Sequence, residues 1–577
     1  MEDWLKKTFK ITDWISDYDR FQFTGDLKSG LTTGMMLIPQ GMAYAVIAGM
    51  PPIYGLYAGV IPLLMYPLFG TSRHLSVGPV AVDMLIVAAG VGLISNPVNS
   101  DFIGLVILLT MMTGILQLLM GSFRLGALFN FFSRPVIAGF TMAAPIIIAF
   151  TQLHNLLGIR LPDTQFVLLI ADEAIRQMNQ VDLHTFAWGA SAIAVLWFLN
   201  RMVPKLPASV IVLTLGILIA WLVDLEEQSV EIVGAIPEGL PPISVPQLNF
   251  ENMRRLLPTA LTLALVQFMS VASLGKAFAK RNNYLVDSNH ELVAIGSANF
   301  VGSLFSSLPV SGSFSRSAAA EQAGAKSPMA NVITSALVVL TLLFLTPFFY
   351  YLPMPILAAI IIVSVFGLID IKEIKFLYKA KKSEGVIATF TFFCTLLIGI
   401  QEGILLGVGA SMLTMLLKYS KPAVAELGLI PGTRLFKNLE RNPEAKRIDG
   451  VLILRVDASF SFINAEFFRD FILEKSGQQD KNTHFVIIDG SSINMLDTTA
   501  TDSLKSIIKT LRGWDMELYM SGLKGPVRDV IEKSGLKEFL GPDHYCEDPH
   551  EAVERVLEKM DRRDGGNRSR KYYEISN

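Results

Sequence analysis

The chain has 577 residues, of which 51% are hydrophobic and 17% are charged, and its mean hydropathy is +0.45. Soluble domains carry about 25% charged residues, so this composition argues against a soluble protein and indicates a polytopic membrane protein. The formal net charge of −2 gives no electrostatic support for nucleic-acid binding. Cys394 lies in an apolar run and Cys546 near the C-terminus, which argues against a disulfide framework or a cysteine-based metal site.

The N-terminal segment, residues 1–24, is polar and amphipathic and lacks the apolar centre of a signal peptide. Fourteen apolar segments follow in residues 25–420, and a spanning helix needs about 20 mostly apolar residues. The first set of seven lies near 29–48, 54–70, 76–94, 102–121, 131–150, 184–203 and 208–223. The second set lies near 256–279, 289–308, 313–323, 329–350, 355–370, 384–400 and 403–418. The chain therefore divides into two repeats, at about 25–223 and 255–420.

The charges of the connecting loops set the predicted orientation. Loops on the N-terminal side carry most of the Lys and Arg, whereas 95–101, 346–355 and 399–403 on the other side carry none and the loop 224–251 is acidic. By the positive-inside rule, and with an even number of spans, both termini are predicted to be cytoplasmic. We expect a multi-pass protein of the plasma membrane or bacterial inner membrane.

Residues 435–560 have a different pattern. Strand-like runs at 450–457, 484–491 and 516–522 alternate with helical patterns at 464–475, 499–514, 525–536 and 548–560. This alternation predicts a small cytoplasmic α/β domain with a largely parallel sheet. The last residues, 561–577, are strongly charged and are predicted to be a disordered tail.

Two of the membrane segments are interrupted at corresponding places. Segment three opens with "SRHLSVGPVAVDML" (72–85) and segment ten with "LPVSGSFSRSAAA" (308–320), and each is the third member of its set. Seven spans per repeat make the two repeats inverted relative to each other. Interrupted segments at matching positions of inverted repeats indicate a transporter's binding site, and two helix N-termini facing each other attract an anion.

Arg316 in segment ten supports this interpretation. A charged side chain in a membrane segment costs at least about 2.5 kcal/mol on insertion scales, so we expect it to face a polar cavity next to the anion. Ser311, Ser313 and Ser315 can cap the helix or donate to the anion. The alternatives are a structural ion pair with Glu321 or Asp83, or a segment ten that is a cytoplasmic loop.

The run "LIPQGMAYAVIAGMPPIYGLYAGVIPLLMYPLFGTSRHLSVGPVAV" (37–82) strongly resembles the signature of the sulfate permease (SulP) family, also called the solute carrier 26 family. The run "GKAFAKRNNYLVDSNHELVAIGSANFVGSLFSSLPVSGSFSRSAAAEQAGAKS" (275–327) resembles the same family's segments eight to ten, and the C-terminal α/β unit resembles a STAS domain. The resemblance implies a seven-plus-seven inverted repeat divided into a core and a gate. It also implies a homodimer in the lipid bilayer and elevator-type transport of an inorganic anion.

The resemblance places the anion between the starts of segments three and ten. The matching positions are Gln40, Tyr44, Val80, Ala81, Phe314, Ser315 and Arg316. Plain packing is the alternative role for Tyr44.

The chain departs from the family pattern at two positions. Many proton-coupled members place a glutamate on segment eight where this chain has Ser270, which, with Ser273, can line the site instead. Asp83 is the only carboxylate in the apolar run 75–94. We expect it to replace the missing acid and to bind the coupling ion, H⁺ or Na⁺; the alternative is that it neutralises Arg316 or the helix end.

The STAS-like unit contains "DGSSINMLDTTATDSL" (489–504), which corresponds to the loop that anti-sigma-factor antagonists use for phosphorylation. Thr498 or Thr499 could accept a phosphate, and helix capping by Asp497 or Thr498 is the alternative. The domain is expected to support dimer contacts and to bind a regulatory protein.

The function predicted from the sequence is secondary active transport of an inorganic anion, with sulfate as the first candidate. Bicarbonate, chloride or another anion is the alternative substrate, and a membrane sensor that signals through the STAS domain is the alternative function. Exchange, symport and channel conduction all stay open. The sequence has no ATP-binding motif, no catalytic constellation, and no pattern for a metal or other cofactor.

Overall fold

The computed structural model describes residues 9–572 except 17, 96–99, 127–132, 163, 165, 204–207, 224–229, 236, 368, 480–481, 565 and 571. The chain divides into two units, residues 1–411 and 412–577. The first unit is helical and the second contains a six-stranded sheet. The predicted N-terminal segment contributes one short helix, Thr12–Ile15, before segment 1, and residues 1–8 of it lie outside the described part.

Each of the fourteen predicted segments contains a helix. In the first repeat these are segment 1 (Arg20–Ile47), segment 2 (Pro52–Tyr57 and Ile61–Phe69), segment 3 (Ala81–Gly92), segment 4 (Ser100–Ser122), segment 5 (Arg134–Thr151), segment 6 (Leu183–Met202) and segment 7 (Ala208–Val223). In the second they are segment 8 (Phe250–Arg281), segment 9 (Ser288–Ser303), segment 10 (Phe314–Ala323), segment 11 (Met329–Phe344), segment 12 (Met354–Phe366), segment 13 (Lys382–Leu397) and segment 14 (Ile400–Ser420). Among the described residues, seven helical stretches are long and apolar enough to span a membrane unaided.

The packing of the helices follows the predicted inverted repeat. Segment 4 packs against segments 8 and 9, and its counterpart segment 11 packs against segments 1 and 2. Segment 5 packs against segment 13, and the corresponding pair is segments 12 and 6. Segments 1–4 and 8–11 therefore form one body, the core, and segments 5–7 and 12–14 form the other, the gate.

A buried carboxylate joins the two repeats within the core. Glu291 on segment 9 is completely buried. It accepts hydrogen bonds from the Tyr66 hydroxyl (2.7 Å), from the Thr71 backbone and hydroxyl (2.7 and 2.6 Å) and from the Ser72 N–H (3.0 Å). Four donors are enough to hold a carboxylate in a dry interior. The contact fixes the connection that leads into segment 3.

The second unit is an α/β domain, as predicted. Two short strands of the first unit are β1 (Val77–Gly78) and β2 (Ser311–Gly312). The strands of the second unit are β3 (Val424–Leu429), β4 (Phe436–Asn438), β5 (Val451–Val456), β6 (Phe485–Asp489), β7 (Glu517–Ser521) and β8 (Tyr545–Cys546). Their sheet has the order β4-β3-β5-β6-β7-β8, with β5 to β8 parallel and β3 antiparallel to both β4 and β5. The helices are α1 (Ala465–Gly477), α2 (Thr498–Gly513), α3 (Gly525–Lys533), α4 (Leu536–Leu540) and α5 (Pro549–Asp564).

Two details differ from the sequence prediction. The sheet begins at Val424, ahead of the predicted boundary at 435, because β3 pairs with β5 and is covered on one face by the domain core. The segment 561–577, predicted to be disordered, continues α5 to Asp564, and its Tyr572 is buried in the same core. Residues 565, 571 and 573–577 of that segment lie outside the described part of the chain.

Candidate functional site

Two short strands meet where segments 3 and 10 are interrupted. β1 (Val77–Gly78) pairs antiparallel with β2 (Ser311–Gly312). Gly78 has φ +150°, and a Cβ at this position would lie 2.9 Å from the Nη2 atom of Arg316 and 2.9 Å from a methyl group of Leu37. Glycine is therefore required here both by the backbone conformation and by the closeness of the arginine. Because the strands are antiparallel, segments 3 and 10 leave this ribbon in opposite directions.

Side chains of neighbouring helices satisfy the backbone of the ribbon. Asn331 on segment 11 accepts from the Val77 N–H (3.2 Å) and donates to the Leu75 carbonyl (2.9 Å). Asn299 on segment 9 accepts from the Val310 N–H (2.7 Å) and donates to the Val310 carbonyl (3.3 Å). Non-helical backbone inside a membrane protein needs such partners or a polar cavity. The two asparagines clamp the two interruptions in the same way.

The N-termini of both half-helices keep backbone N–H groups available. Segment 3 begins at Ala81 after Val80, and segment 10 begins at Phe314 after Ser313. Neither Val80 nor Ser313 makes a side-chain capping hydrogen bond. The first N–H groups of a helix have no intrahelical acceptor, and the helix dipole is positive there. Two such ends beside one ribbon favour an anionic ligand.

Arg316 lies in the first turn of segment 10 and is completely buried. It donates from Nη1 to the Gln40 side-chain oxygen (3.2 Å) and from Nη2 to the Pro79 carbonyl (3.1 Å). Its Nε atom is buried and has no hydrogen-bond partner among the described residues. A buried guanidinium whose partners are neutral retains its full positive charge for a ligand.

The predicted ion-pair alternatives for Arg316 do not fit this geometry. Asp83 accepts a hydrogen bond from the Gln267 amide instead (3.1 Å). Glu321 accepts from the Asn282 amide (2.7 Å) and lies 3.5 Å from Arg281. Within the described residues, no carboxylate forms a salt bridge with Arg316. Residues Phe314–Ala323 of segment 10 form a helix, and a cytoplasmic position of this segment stays an alternative.

The residues predicted to bind the anion lie on the elements around the ribbon. Gln40 and Tyr44 are buried one turn apart on segment 1, while Phe314, 55% exposed, and Ser315 are open at the start of segment 10. Ala81 is buried, and Val80 and Ser270 are half-buried. Segment 8, which carries Ser270, packs against β2. Within this set, Arg316 and Gln40 are joined by a side-chain hydrogen bond.

Sequence reasoning missed three polar residues near the site. Gln117, Gln267 and Asn299 are completely buried and hydrogen-bond to one another. The signal that could have found them is a lone amide inside an apolar run, because such residues are costly in membrane segments.

In the second unit, Thr498 and Thr499 are exposed in the first turn of α2. Asp497 caps that helix by accepting from the Ala500 N–H (2.8 Å) and also accepts from the Phe462 N–H (2.7 Å). This is the capping arrangement predicted as the alternative to phosphorylation. Phosphorylation of either threonine stays a prediction.

Comparison with known proteins places the chain in a family. Residues 23–391 match the Sulfate permease family and residues 442–552 match the STAS domain. The chain is 35% identical over 574 residues to sulfate transporter 4.1, chloroplastic, of Arabidopsis thaliana, covering 96% of this chain and 83% of that protein. It is 31% identical to a probable sulfate transporter of Mycobacterium tuberculosis, covering 92% of this chain and 94% of that protein.

Solved structures share the fold. A structure of SLC26A9 superposes with a TM-score of 0.89 at 23% identity, covering 97% of this chain and 94% of that one. The transmembrane domain of a cyanobacterium bicarbonate transporter, BicA, has a TM-score of 0.60 at 20% identity and covers 68% of this chain and 98% of that one. Together with the interrupted segments and the α/β unit, these matches show that the chain belongs to the sulfate permease (SulP, solute carrier 26) family of membrane transporters and carries a C-terminal STAS domain.

Proposed function

We propose that this anion transporter moves sulfate by secondary active transport, with the anion held between the N-termini of segments 3 and 10. The observation that carries the proposal is Arg316, a buried guanidinium that has two neutral acceptors, an unpartnered Nε and no carboxylate partner among the described residues. The named relatives are sulfate transporters, which makes sulfate the first substrate to test. Gln40, Tyr44, Val80, Ala81, Ser270, Phe314 and Ser315 complete the proposed site.

The proposed mechanism is of the elevator type. The proposed site belongs to the core, and segment 1 of the core packs against segments 7 and 12 of the gate. Movement of the core along this surface would carry the anion across the membrane without opening a continuous pore. Asp83 is proposed to bind the coupling ion. The proposed assembly is a homodimer with cytoplasmic termini, in the plasma or bacterial inner membrane, whose STAS domain binds a regulatory protein.

Uptake of radiolabelled sulfate into proteoliposomes that contain the purified full chain tests the substrate. Unlabelled bicarbonate and chloride compete in parallel samples, since BicA, which shares the fold, is a bicarbonate transporter. Sulfate uptake that only unlabelled sulfate suppresses supports the proposal. Uptake that bicarbonate or chloride suppresses more strongly overturns sulfate as substrate. Absence of flux for all three anions favours a sensor that signals through the STAS domain.

A further inference from the structure

Four polar side chains form a cluster inside the core that the anion site does not use. Asp83 on segment 3, Gln117 on segment 4, Gln267 on segment 8 and Asn299 on segment 9 are 1%, 0%, 0% and 0% exposed, respectively. Each comes from a different helix. A polar group in a membrane interior is costly unless it is hydrogen-bonded, so a cluster of four calls for a functional reason.

The hydrogen bonds of the cluster run in one direction. Gln267 donates to an Asp83 carboxylate oxygen (3.1 Å), and its own oxygen accepts from the side-chain amides of Gln117 (2.9 Å) and Asn299 (2.9 Å). Asn299 also donates to the Gln117 oxygen (3.0 Å). These hydrogen bonds place amide donors towards the carboxylate, directly from Gln267 and indirectly from Gln117 and Asn299. Gln117 and Asn299 also donate to the Ala264 (3.4 Å) and Val310 (3.3 Å) carbonyls. This orientation fits an ionised Asp83, which only accepts hydrogen bonds.

The far end of the cluster is the interruption of segment 10. The Asn299 oxygen accepts from the Val310 N–H at 2.7 Å. Val310 directly precedes β2, whose Ser311 pairs with Gly78. The carboxylate on one half-helix is thus connected, through two amides, to the backbone that begins the other half-helix.

We propose that Gln117, Gln267 and Asn299 are positioning residues that couple the protonation of Asp83 to the ribbon at the anion site. This inference rests on the proposed function, because it assumes coupled anion transport. When a proton from water binds the Asp83 carboxylate, Asp83 becomes a donor. In the proposed step the proton binds the carboxylate oxygen that accepts from Gln267 in the structure. Gln267 then rotates its amide, so that its oxygen faces Asp83 and its nitrogen faces Gln117 and Asn299. No covalent bond other than the O–H forms, and release of the proton reverses the rotation.

The rotation of Gln267 changes what Asn299 must do. In the structure the Asn299 nitrogen donates to the Gln267 oxygen. After the rotation it would face the Gln267 nitrogen, which is also a donor. Asn299 can accept from Gln267 only through the oxygen that holds the Val310 N–H. Protonation of Asp83 then releases Val310, so the amide rotation of Gln267 changes the ribbon that presents the anion site.

The packing of the cluster favours a proton over Na⁺ as its ligand. A hard cation requires several oxygen ligands, and the Gln117 and Gln267 oxygens already accept N–H donors. All four side chains are buried, and a proton, unlike Na⁺, needs only one carboxylate oxygen.

Among the described residues, no charged group forms an ion pair with Asp83. Segments 1, 4, 5 and 8 pack against segment 3. Their nearest ionisable groups, apart from Tyr44, lie towards the helix ends: Asp26 and Lys28 on segment 1, Asp101 on segment 4, Arg134 on segment 5, and Arg255 and Lys276 on segment 8. Arg316, on segment 10, makes its hydrogen bonds with Gln40 and Pro79.

The test compares driven uptake with exchange in proteoliposomes of the full chain. The variants are D83N, Q267M, which matches glutamine in size but makes no amide hydrogen bond, and the double variant. Labelled sulfate uptake is driven by an acid-outside pH gradient at clamped membrane potential. With one proton per anion, each pH unit permits about tenfold accumulation in the wild type. We expect the three variants to lose this accumulation, and Q267M to retain sulfate counterflow at equal pH. The double variant should behave like D83N alone.

Two controls separate coupling from damage to the fold. Thr113 on segment 4 and Thr262 on segment 8 are buried near the cluster and bond only to their own helices, so T113V and T262V should keep gradient-driven accumulation. Accumulation retained by Q267M overturns the proposal, as does a further loss when Q267M is added to D83N. Accumulation driven by a Na⁺ gradient instead of a pH gradient overturns the proton as the coupling ion. Wild-type protein without sulfate counterflow would refute the proposed function itself.

Discussion

Arg316 and Pro79 lie 3.1 Å apart, Nη2 to carbonyl oxygen, so the charge of segment 10 contacts the interruption of segment 3 directly. The carbonyl satisfies one N–H of the guanidinium but cannot neutralise it. The two half-helix starts, separated by more than two hundred residues in the chain, are thereby held around one unneutralised positive charge. This relationship makes the ribbon a site for an anion, and it depends on both repeats.

The first prediction concerns the charge itself. R316A should abolish measurable sulfate binding by the purified protein, and R316K should weaken it by about 10- to 100-fold, because hydrogen bonds to charged groups contribute about 1.5–3 kcal/mol. Isothermal titration measures the affinity. The control is R255A, which removes an exposed arginine that pairs with Glu251 on its own helix. Full affinity in R316A would show that the helix termini bind without the guanidinium.

The second prediction concerns the backbone next to Arg316. G78A should reduce sulfate uptake by about tenfold or more, because alanine is strained at φ +150° by about 1–3 kcal/mol and its Cβ would displace the guanidinium. The matched control is G92A on the same segment, where an added Cβ meets no atom within 4 Å. Equal uptake by both variants would mean that the ribbon tolerates a shift of Arg316.

The third prediction concerns Glu291, the buried carboxylate that holds the connection ahead of segment 3. E291Q should lower the thermal stability of the full chain by about 1–3 kcal/mol, because an amide cannot accept from all the donors that surround the buried carboxylate. Thermal unfolding in detergent measures the change. E402Q, at an exposed position on segment 14, is the control. A melting temperature unchanged in E291Q would show that the hydrogen bonds of Glu291 do not limit stability.

The sequence was sufficient to predict the elements but not their partners. Long apolar runs located all fourteen helices, and Gly78-Pro79 with Pro309 and Gly312 located the two interruptions, because glycine and proline together disfavour a continuous helix. The Arg316–Gln40 and Asp83–Gln267 contacts could not be predicted in this way. Each joins helices whose neighbours are decided by tertiary packing, so the nearby carboxylates looked equally plausible as partners for Arg316.

The errors in the second unit have the same origin. β3 follows the last membrane helix directly and reads as a short apolar stretch, and it becomes a strand because β5 offers an edge. The charge of residues 561–577 predicts disorder, yet one residue of that segment, Tyr572, enters the domain core. Local composition cannot show such long-range contacts.

The fourth prediction concerns acid sensitivity of the second unit. Partial burial alone would raise the pKa of Glu517, but hydrogen bonds from Lys559 (2.6 Å) and His544 (3.2 Å) outweigh it and lower the pKa below its usual value. A lowered carboxylate pKa stabilises the fold above the unfolded value of about 4.3, and this contribution disappears as the pH falls through the folded pKa.

Hydrogen exchange of β7 in the full chain measures this contribution. E517Q should exchange faster than the wild type at pH 7, and the difference should vanish at an acidic pH below the lowered folded pKa of Glu517, where the wild-type carboxylate is protonated. The comparison is made at equal pH, so intrinsic exchange rates cancel. E474Q, at an exposed position on α1, should match the wild type throughout. A difference of equal size at both pH values would contradict the assignment to Glu517 ionisation.

The fifth prediction concerns the C-terminal segment. Tyr572 is 4% exposed, packs in the core beneath α5 and pairs its hydroxyl with the His550 ring nitrogen at 2.5 Å. Y572A should destabilise the second unit by about 3 kcal/mol through loss of a buried ring, whereas Y572F should lose only about 1 kcal/mol because the ring remains. Hydrogen exchange of α5 in the full chain measures both. A disordered segment would give wild-type exchange in both variants, so the order wild type, Y572F, Y572A in protection is the result that distinguishes a packed C-terminus from a free one.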